Sequence, residues 1–146
     1  IKIFEDINVG VAVATEKGLV VPVIHNADRV SLSDIAAALR LLVEKAREGK
    51  LTKEDLTGGT FTITNLGMYG VDVFIPIINP PETAILGVGS VSEKPVVVDK
   101  EITTKPMMQL SLSFDHRIVD GVPAAQFLQK VKWILESDLA ISEAGS

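Results

Sequence analysis

The chain has 146 residues, of which 47% are apolar and 23% are charged, so it can form one folded domain with a core. Its formal net charge of -5 argues against nucleic acid or an anionic membrane as a partner, because both require a basic face. The lack of cysteine excludes disulfides, thiolate metal sites and a cysteine nucleophile, and it is typical of a reducing compartment.

Two β-rich stretches open the chain. "INVGVAVAT" and "GLVVPVI" flank the turn "EKG", and this arrangement predicts a hairpin. Gly10, Ala12 and Ala14 share one side of the first stretch, which indicates that another backbone or a ligand lies close to it. The opening residues read as the middle of a domain and begin with isoleucine, so we expect a fragment of a longer protein.

The clearest helical signal begins at Ser31. Ser31 and Asp34 have the spacing of a capping box, and apolar residues then recur at helical intervals. Gly49 suits the end of a helix. We therefore predict a packing helix over residues 31–48 without a chemical role. His25, which precedes it, is expected on a loop surface, also without a role.

The second half predicts more strands and a final helix. "TFTITNLG" and "ETAILGVG" read as strands, and "EKPVVVDKEITTKP" predicts a hairpin. Residues 108–115 alternate between apolar and polar, which is typical of a half-buried strand. A last helix is predicted from about residue 123 to residue 135, with these side chains facing inward: Phe127, Leu128, Val131, Ile134 and Leu135.

His116 is one of only two histidines, and it lies between the alternating strand and the last helix, four residues before Asp120. It can be a structural histidine, with Asp120 capping the helix. It can belong to a metal site, although no third ligand is nearby and Gly121 and Pro123 oppose a helix through the pair. It can be a general base at a sheet edge, since imidazole exchanges protons near neutral pH.

Four stretches, in this order and spacing, resemble one family: "VGVAVATEKGLVVPVI", "GGTFTITNLGMYG", "PIINPPETAILGVG" and "LSLSFDHRIVDG". The chain is similar to the catalytic domain of the dihydrolipoyl acyltransferases, the core components of the 2-oxoacid dehydrogenase complexes. The resemblance implies an α/β (α+β) fold like that of chloramphenicol acetyltransferase, a sandwich with a mixed sheet and packing helices. It also implies that residues 1–146 are one acyltransferase catalytic domain, truncated at its N-terminus.

The resemblance implies transfer of an acyl group between dihydrolipoyl-lysine and coenzyme A. Coenzyme A is then a substrate, the lipoyl group is carried on another domain, and no metal takes part. His116 corresponds to the base that takes the thiol proton, Thr64 to the donor that stabilises the oxyanion, and Asp120 to a residue that supports the site. The residues by themselves make Thr64 an ordinary strand residue.

The implied partners are further copies of the chain and the other components of a 2-oxoacid dehydrogenase complex. The family forms homotrimers with the active site between two subunits, so His116 and Thr64 come from neighbouring copies. Trimers assemble further into cubes or dodecahedra, in the cytoplasm of bacteria or archaea or in the mitochondrial matrix. The lipoyl domain is a partner, whereas nucleic acid and membranes are not expected.

The chain departs from the family at both ends. The family has an N-terminal segment with an arginine that pairs with the motif aspartate, and it has a leucine-rich tail where this chain reads "LAISEAGS". We therefore expect a chain that folds and self-associates as a trimer but transfers acyl groups poorly or not at all. Two alternatives are a scaffold without catalysis and a free-standing acetyltransferase for a small alcohol. "TITN" resembles the succinyl-transferring branch and "NLGMYG" the acetyl-transferring one, and we prefer acetyl.

Overall fold

The computed structural model describes residues 1–137. In chain order its main elements are β1 Val9–Val11, β2 Val13–Thr15, β3 Gly18–Val20, β4 Val23–Ile24, α1 Leu32–Glu48, β5 Phe61–Asn65, β6 Ala84–Val88, β7 Ser92–Val98, β8 Glu101–Met107, β9 Leu110–Phe114 and α2 Gly121–Glu136. Short 3-10 turns cover Glu54–Leu56 and Gly67–Tyr69. Within this range, no helix has the length and apolar character needed to cross a bilayer.

Five strands form a mixed sheet in the order β4-β1-β5-β6-β9. The three central strands are parallel to one another, and β4 and β9 complete the two edges in antiparallel orientation. β2 with β3 and β7 with β8 form separate hairpins. Helix α1 contacts β2 and β4, whereas α2 contacts β9. The mixed sheet with packing helices confirms the predicted fold class.

The predicted N-terminal hairpin is divided between two sheets. β1 pairs with β4 in the main sheet, whereas β2 pairs only with β3. The division falls at Ala12, whose N–H donates to the carbonyl oxygen of Ile63 at 2.9 Å. A Cβ at Gly10 would lie 2.8 Å from Cγ1 of Val21 and 3.0 Å from Oγ1 of Thr62. Gly10 therefore lies against close side chains, whereas Ala14, on the same side of the stretch, is exposed.

Helix α1 agrees with its prediction. The Ser31 hydroxyl oxygen accepts a hydrogen bond from the backbone N–H of Asp34 at 3.1 Å, and Gly49 ends the helix with a φ of 68°. Leu42 and Ala46 are buried on its inner face. His25 is exposed just after β4, as predicted. Leu42 and Ala46 therefore belong to the core.

Helix α2 differs from its prediction in both start and packing. It begins at Gly121, two residues early, because a proline in the first helical turn needs no hydrogen-bond partner for its nitrogen. The predicted inward set is largely wrong, since Phe127, Ile134 and Leu135 are exposed and only Ala124 is buried. The helix packs on β9, and the ring of Phe127 lies 5.7 Å from that of Phe61 on β5, so the sheet covers only part of the helix.

Candidate active site

His116 lies in the turn that joins β9 to α2. Its side chain is 71% exposed, and its Nδ1 atom lies 3.7 Å from Oδ1 of Asp120. Its ring centroid is 5.7 Å from that of Phe114, with the planes tilted by 39°. Among the residues that the structure describes, the imidazole makes no hydrogen bond. The ring therefore lacks the satisfied partners of a structural histidine and is open to solvent.

Asp120 occupies the N-cap position of α2 without using its carboxylate as a cap. Its carbonyl oxygen accepts the N–H of Ala124 at 3.2 Å, but its side chain makes no capping hydrogen bond. The carboxylate instead faces the His116 ring, with its Oδ1 atom 3.7 Å from Nδ1. Residues 1–137 contain no group of three or more metal-ligating side chains, so the metal interpretation finds no third ligand there.

An ion pair between Asp115 and Arg117, the residues on either side of His116, holds this turn in place. The Asp115 carboxylate accepts hydrogen bonds from the backbone N–H, Nε and Nη2 of Arg117, at 3.0, 2.9 and 2.6 Å. The N–H of Asp115 donates to the carbonyl oxygen of Thr83 at 2.8 Å, which extends the ladder between β9 and β6. Sequence reasoning missed this pair, although opposite charges on either side of a histidine were the available signal.

The Asp115 pair leads to a prediction about acid stability. Hydrogen bonds from the Arg117 side chain, and then from its backbone N–H, lower the pKa of Asp115 from 3.8 to about 2. Because the folded-state pKa is depressed, the stabilisation is complete above about pH 5 and is lost as the pH falls from about 4 to about 2. We expect Asp115→Asn to be less stable than the parent above that range, with the difference closing on acidification.

Urea unfolding of the parent and Asp115→Asn chains at a series of pH values measures this difference in free energy of unfolding. An Asp28→Asn chain is a control for the loss of one exposed carboxylate. A difference between parent and Asp115→Asn that stays constant or widens down to about pH 2 would contradict the role of the ion pair.

Thr64, on the central strand β5, borders a cleft whose lining does not include His116. The cleft has a volume of about 490 Å³ and is lined mostly by apolar side chains, among them Ala12, Leu66, Phe74, Ile78 and Ile85. Thr64 is half-buried at the carboxyl end of β5. Within the described part of the chain, its hydroxyl has no hydrogen-bond partner. The hydroxyl is therefore free to donate to a group bound in the cleft.

Residues 71–79 form no helix or strand, and we call this segment the strap. Part of the strap forms one wall of the cleft. The Ser111 hydroxyl donates to the carbonyl oxygen of Phe74, and the Ser113 hydroxyl donates to that of Pro76 at 2.6 Å. All five residues of β9 are half-buried, and its serines face the strap rather than open solvent. The strap covers the serine face.

Gly87 on β6 makes room for the strap. A Cβ at this position would lie 2.7 Å from Oγ of Ser111 and 3.1 Å from Cζ of Phe74. The end of the strap is anchored by Glu82, which accepts a hydrogen bond at 2.6 Å from the fully buried Thr62. Sequence reasoning missed the strap, although a glycine inside the apolar strand "AILGV" was a signal of close approach.

Thr64 and His116 do not meet within one chain. Through the pairing with β6, Thr64 is aligned with Ser111 on β9. Asp115 lies four residues beyond Ser111 on the same strand end, opposite Thr83. With strands ~4.8 Å apart and a rise of ~3.3 Å per residue, Thr64 and Asp115 are on the order of 16 Å apart. A base and an oxyanion donor must act on the same reacting group, so a single chain does not hold both in one site.

The family described as 2-oxoacid dehydrogenases acyltransferase (catalytic domain) has a model that matches residues 1–142. The chain belongs to this acyltransferase family. The acyltransferase chain is 52% identical, over 130 residues, to the dihydrolipoyllysine-residue succinyltransferase component of the 2-oxoglutarate dehydrogenase complex of Rickettsia typhi. The match covers 89% of this chain and 33% of that protein, so the chain spans about a third of the relative's length.

Solved structures of acyltransferases share the fold. Dihydrolipoamide acetyltransferase from Azotobacter vinelandii is 44% identical, with a TM-score of 0.90 over 94% of this chain and 57% of that one. The cubic core of the pyruvate dehydrogenase multienzyme complex is 43% identical, with a TM-score of 0.90 and the same coverage of 94% and 57%. These matches confirm the family and the sandwich fold that the four sequence motifs implied.

Proposed function

We propose that residues 1–146 act as an acyltransferase catalytic domain that moves an acyl group between dihydrolipoyl-lysine and coenzyme A. The observation that supports this proposal is the environment of the His116 side chain. Its imidazole is exposed, lies 3.7 Å from the Asp120 carboxylate and makes no hydrogen bond among the described residues. An imidazole oriented by an anion and open to substrate is suited to removing the proton of a thiol.

The reaction follows from these groups. Nε2 of His116 takes the proton of the coenzyme A thiol, and the thiolate attacks the thioester carbonyl carbon of the acylated lipoyl group. As the new C–S bond forms, negative charge develops on the carbonyl oxygen, to which the Thr64 hydroxyl of a neighbouring copy donates a hydrogen bond. The C–S bond to the lipoyl sulfur then breaks, and that sulfur receives the proton from His116. The reverse reaction uses the same groups.

The Azotobacter vinelandii enzyme supports this choice of residues. The catalytic mechanism of that enzyme was investigated at one serine, one histidine and one asparagine. In its sequence the serine lies 52 positions before the histidine, and the asparagine lies four positions after it. Thr64 precedes His116 by 52 positions, and Asp120 follows it by four. Threonine keeps the hydroxyl of the serine, whereas aspartate replaces the neutral amide with a carboxylate.

The proposed working unit is a homotrimer inside a 2-oxoacid dehydrogenase complex. The separation of about 16 Å between Thr64 and the His116 turn supports a site shared between copies. A related solved structure is the cubic core of the pyruvate dehydrogenase multienzyme complex, which supports larger assembly. The lipoyl group is delivered by a lipoyl domain, and the other components of the complex supply its acyl group, in the cytoplasm or the mitochondrial matrix.

Acetyl is the acyl group that the cleft favours. Its lining within the described residues includes Phe74, Ile78 and Ile85 and carries no positive charge. A succinyl group would place its carboxylate against this lining without a cation from the same chain, and an unpaired buried charge is strongly unfavourable. The methyl of an acetyl group requires only apolar contact. Relatives of both specificities are similar to this chain, so the lining is the feature that supports acetyl.

The intact gene product that contains residues 1–146 should therefore use acetyl-CoA with a kcat/KM at least ~10-fold above that for succinyl-CoA, with dihydrolipoamide as acceptor. The measurement follows thioester formation and release of the coenzyme A thiol for each donor. A preference for succinyl-CoA would contradict the acetyl assignment. No transfer at all would support a scaffold, and a preference for a small alcohol over dihydrolipoamide would support a free-standing acetyltransferase.

A further inference from the structure

Glu82, two residues before β6, connects two sides of the Thr64 cleft. Its Oε2 atom accepts a hydrogen bond from the Thr62 hydroxyl at 2.6 Å, and its Oε1 atom accepts one from Nδ2 of Asn79 at 3.3 Å. Thr62 lies on β5 and Asn79 is the last residue of the strap, and both line the cleft. The Glu82 side chain therefore lies behind the lining and links its β5 side to its strap side.

The end of the strap depends on this link. The hydroxyls of Ser111 and Ser113 hold the middle of the strap, at the carbonyl groups of Phe74 and Pro76. Beyond Pro76, the hydrogen bonds that the strap makes with the described residues all go to Glu82. Its carboxylate accepts from the Asn79 side chain, and its N–H donates to the Asn79 carbonyl oxygen at 3.0 Å.

The Glu82 carboxylate has little freedom to move. A Cβ at Gly59, in the loop before β5, would lie only 2.6 Å from Oε1 of Glu82. Its donor Thr62 is fully buried, and a Cβ at Gly10 on β1 would lie 3.0 Å from the Thr62 hydroxyl oxygen. Glu82 is half-buried and forms no ion pair within residues 1–137. Two neutral donors therefore determine where this carboxylate lies.

The width of the cleft bears on the proposed reaction. Thr64 lies two residues after Thr62, so the two side chains are on the same face of β5. An acyl group in the cleft lies between this face and the strap, which contributes Phe74 and Ile78 to the lining. The separation of β5 from the strap therefore determines how the acyl carbonyl is aligned with the Thr64 hydroxyl, and how large an acyl group fits.

We infer that Glu82 is a positioning residue that fixes the width of the cleft by linking Asn79 to Thr62, and that it thereby restricts the site to short, unbranched acyl groups. The inference rests on the proposed function, which places an acyl group beside Thr64. Glu82 does not contact the reacting atoms in this scheme. It acts through the strap, whose end moves away from β5 when the link is lost.

The Glu82→Ala variant of the intact gene product tests the inference, with dihydrolipoamide as acceptor. We expect kcat with acetyl-CoA to fall on the order of 10-fold, because the acyl carbonyl is no longer aligned with its donor. The preference for acetyl-CoA over isobutyryl-CoA, as a ratio of kcat/KM values, should also fall about 10-fold, because a wider cleft admits a branched chain. An equal loss for both donors would indicate a general structural role and overturn the inference.

Glu93→Ala is the matched control for this variant. Glu93 is an exposed glutamate on β7 outside the cleft lining, so its replacement should leave both the rate and the preference at parental values. Circular dichroism checks the fold of each chain.

Gly59→Ala displaces the Glu82 carboxylate without removing it. The new methyl group would meet the end of a flexible side chain, which can move aside, so the thermal unfolding midpoint should stay close to that of the parent. The acetyl preference should fall as it does in Glu82→Ala. In the Glu82→Ala background the same change should have little further effect, because no carboxylate is left to displace. An equal effect in both backgrounds would contradict a role through Glu82.

Two conservative variants separate the link from the charge of Glu82. Glu82→Gln keeps an oxygen that accepts from Thr62, so it should retain most of the acetyl preference. Thr62→Val removes the donor and should lower the preference as Glu82→Ala does, and the double variant should be no worse than the more affected single variant. A loss in Glu82→Gln as large as that in Glu82→Ala would mean that the charge matters and would overturn the inference.

The outcomes distinguish this inference from the proposed function. A parent chain that transfers no acyl group would refute both. A parent that transfers acetyl, together with a Glu82→Ala chain of parental preference, would refute the inference alone. If Glu82→Ala does not fold, Gly59→Ala decides the question: a reduced acetyl preference at a parental unfolding midpoint supports the positioning role, and a parental preference overturns it.

Discussion

Replacing His116 with alanine should lower kcat for acyl transfer by at least ~10²-fold, the usual effect of losing a general base. The imidazole is 71% exposed and makes no hydrogen bond among the described residues, so its removal should leave the fold intact. Without a base, the reaction depends on thiolate that forms in solution. The residual rate should therefore rise about tenfold per pH unit until the thiol itself ionises, near pH ~8.5.

Steady-state kinetics of the intact gene product with acetyl-CoA and dihydrolipoamide measure this loss. His25→Ala is the matched control, since it removes the other histidine, which is exposed and remote in the fold, and it should retain parental turnover. Parental turnover in His116→Ala would remove this histidine from the mechanism. A residual rate that does not depend on pH would mean that the thiol proton leaves by another route.

Replacing Thr64 with valine should also lower kcat on the order of 10²-fold, the typical effect of removing one oxyanion donor. Valine keeps the shape and the β-propensity of threonine but has no hydroxyl. Thr64 has no hydrogen-bond partner in the described part of the chain, so its hydroxyl is available to the oxyanion and its loss leaves no protein group unpaired. KM for coenzyme A should change little, because the donor acts mainly in the transition state.

Two further variants define the role of this hydroxyl. Thr64→Ser should retain most of the activity, since serine carries the same donor, whereas Thr103→Val, on the exposed strand β8, is a control for the loss of a strand hydroxyl. A rise in KM with constant kcat in Thr64→Val would make Thr64 a residue that binds the ground state.

Mixing the two inactive chains tests whether the site is shared. When His116→Ala and Thr64→Val chains are dissociated and reassembled together, some sites combine the intact histidine of one copy with the intact threonine of another. These mixed assemblies should have activity well above that of either variant alone. If both residues act within one chain, mixing restores nothing, and the shared site is excluded.

The Asp120 carboxylate shows how far sequence reasoning reached at the site. The motif placed an aspartate four residues after the histidine, and the structure brings the two side chains to 3.7 Å. Sequence reasoning did not find the Asp115–Arg117 pair or the strap. The strap depends on which backbone groups lie within reach after folding, whereas the Asp115–Arg117 pair is local and its opposite charges were visible in the sequence.

Local signals determined several elements of this protein by themselves. The capping pair Ser31 and Asp34 determined the start of α1, because a cap depends on residues three positions apart. Asp99 and Lys100 determined the β7–β8 hairpin, and both adopt the positive φ values that its turn requires, 52° and 70°. Such elements are predictable because the groups that stabilise them are neighbours in the sequence.

Only the tertiary structure decided which surfaces are covered. The serine face of β9 carried the pattern of a surface exposed to solvent, but the strap covers it through hydrogen bonds to residues 37 positions earlier in the chain. The apolar residues of α2 carried the pattern of a core-facing helix, but an edge strand covers only part of them. The separation of Thr64 from His116 has the same origin. Strand order and register are set by contacts between distant residues. Hydrophobic periodicity does not indicate which distant residues a face will contact.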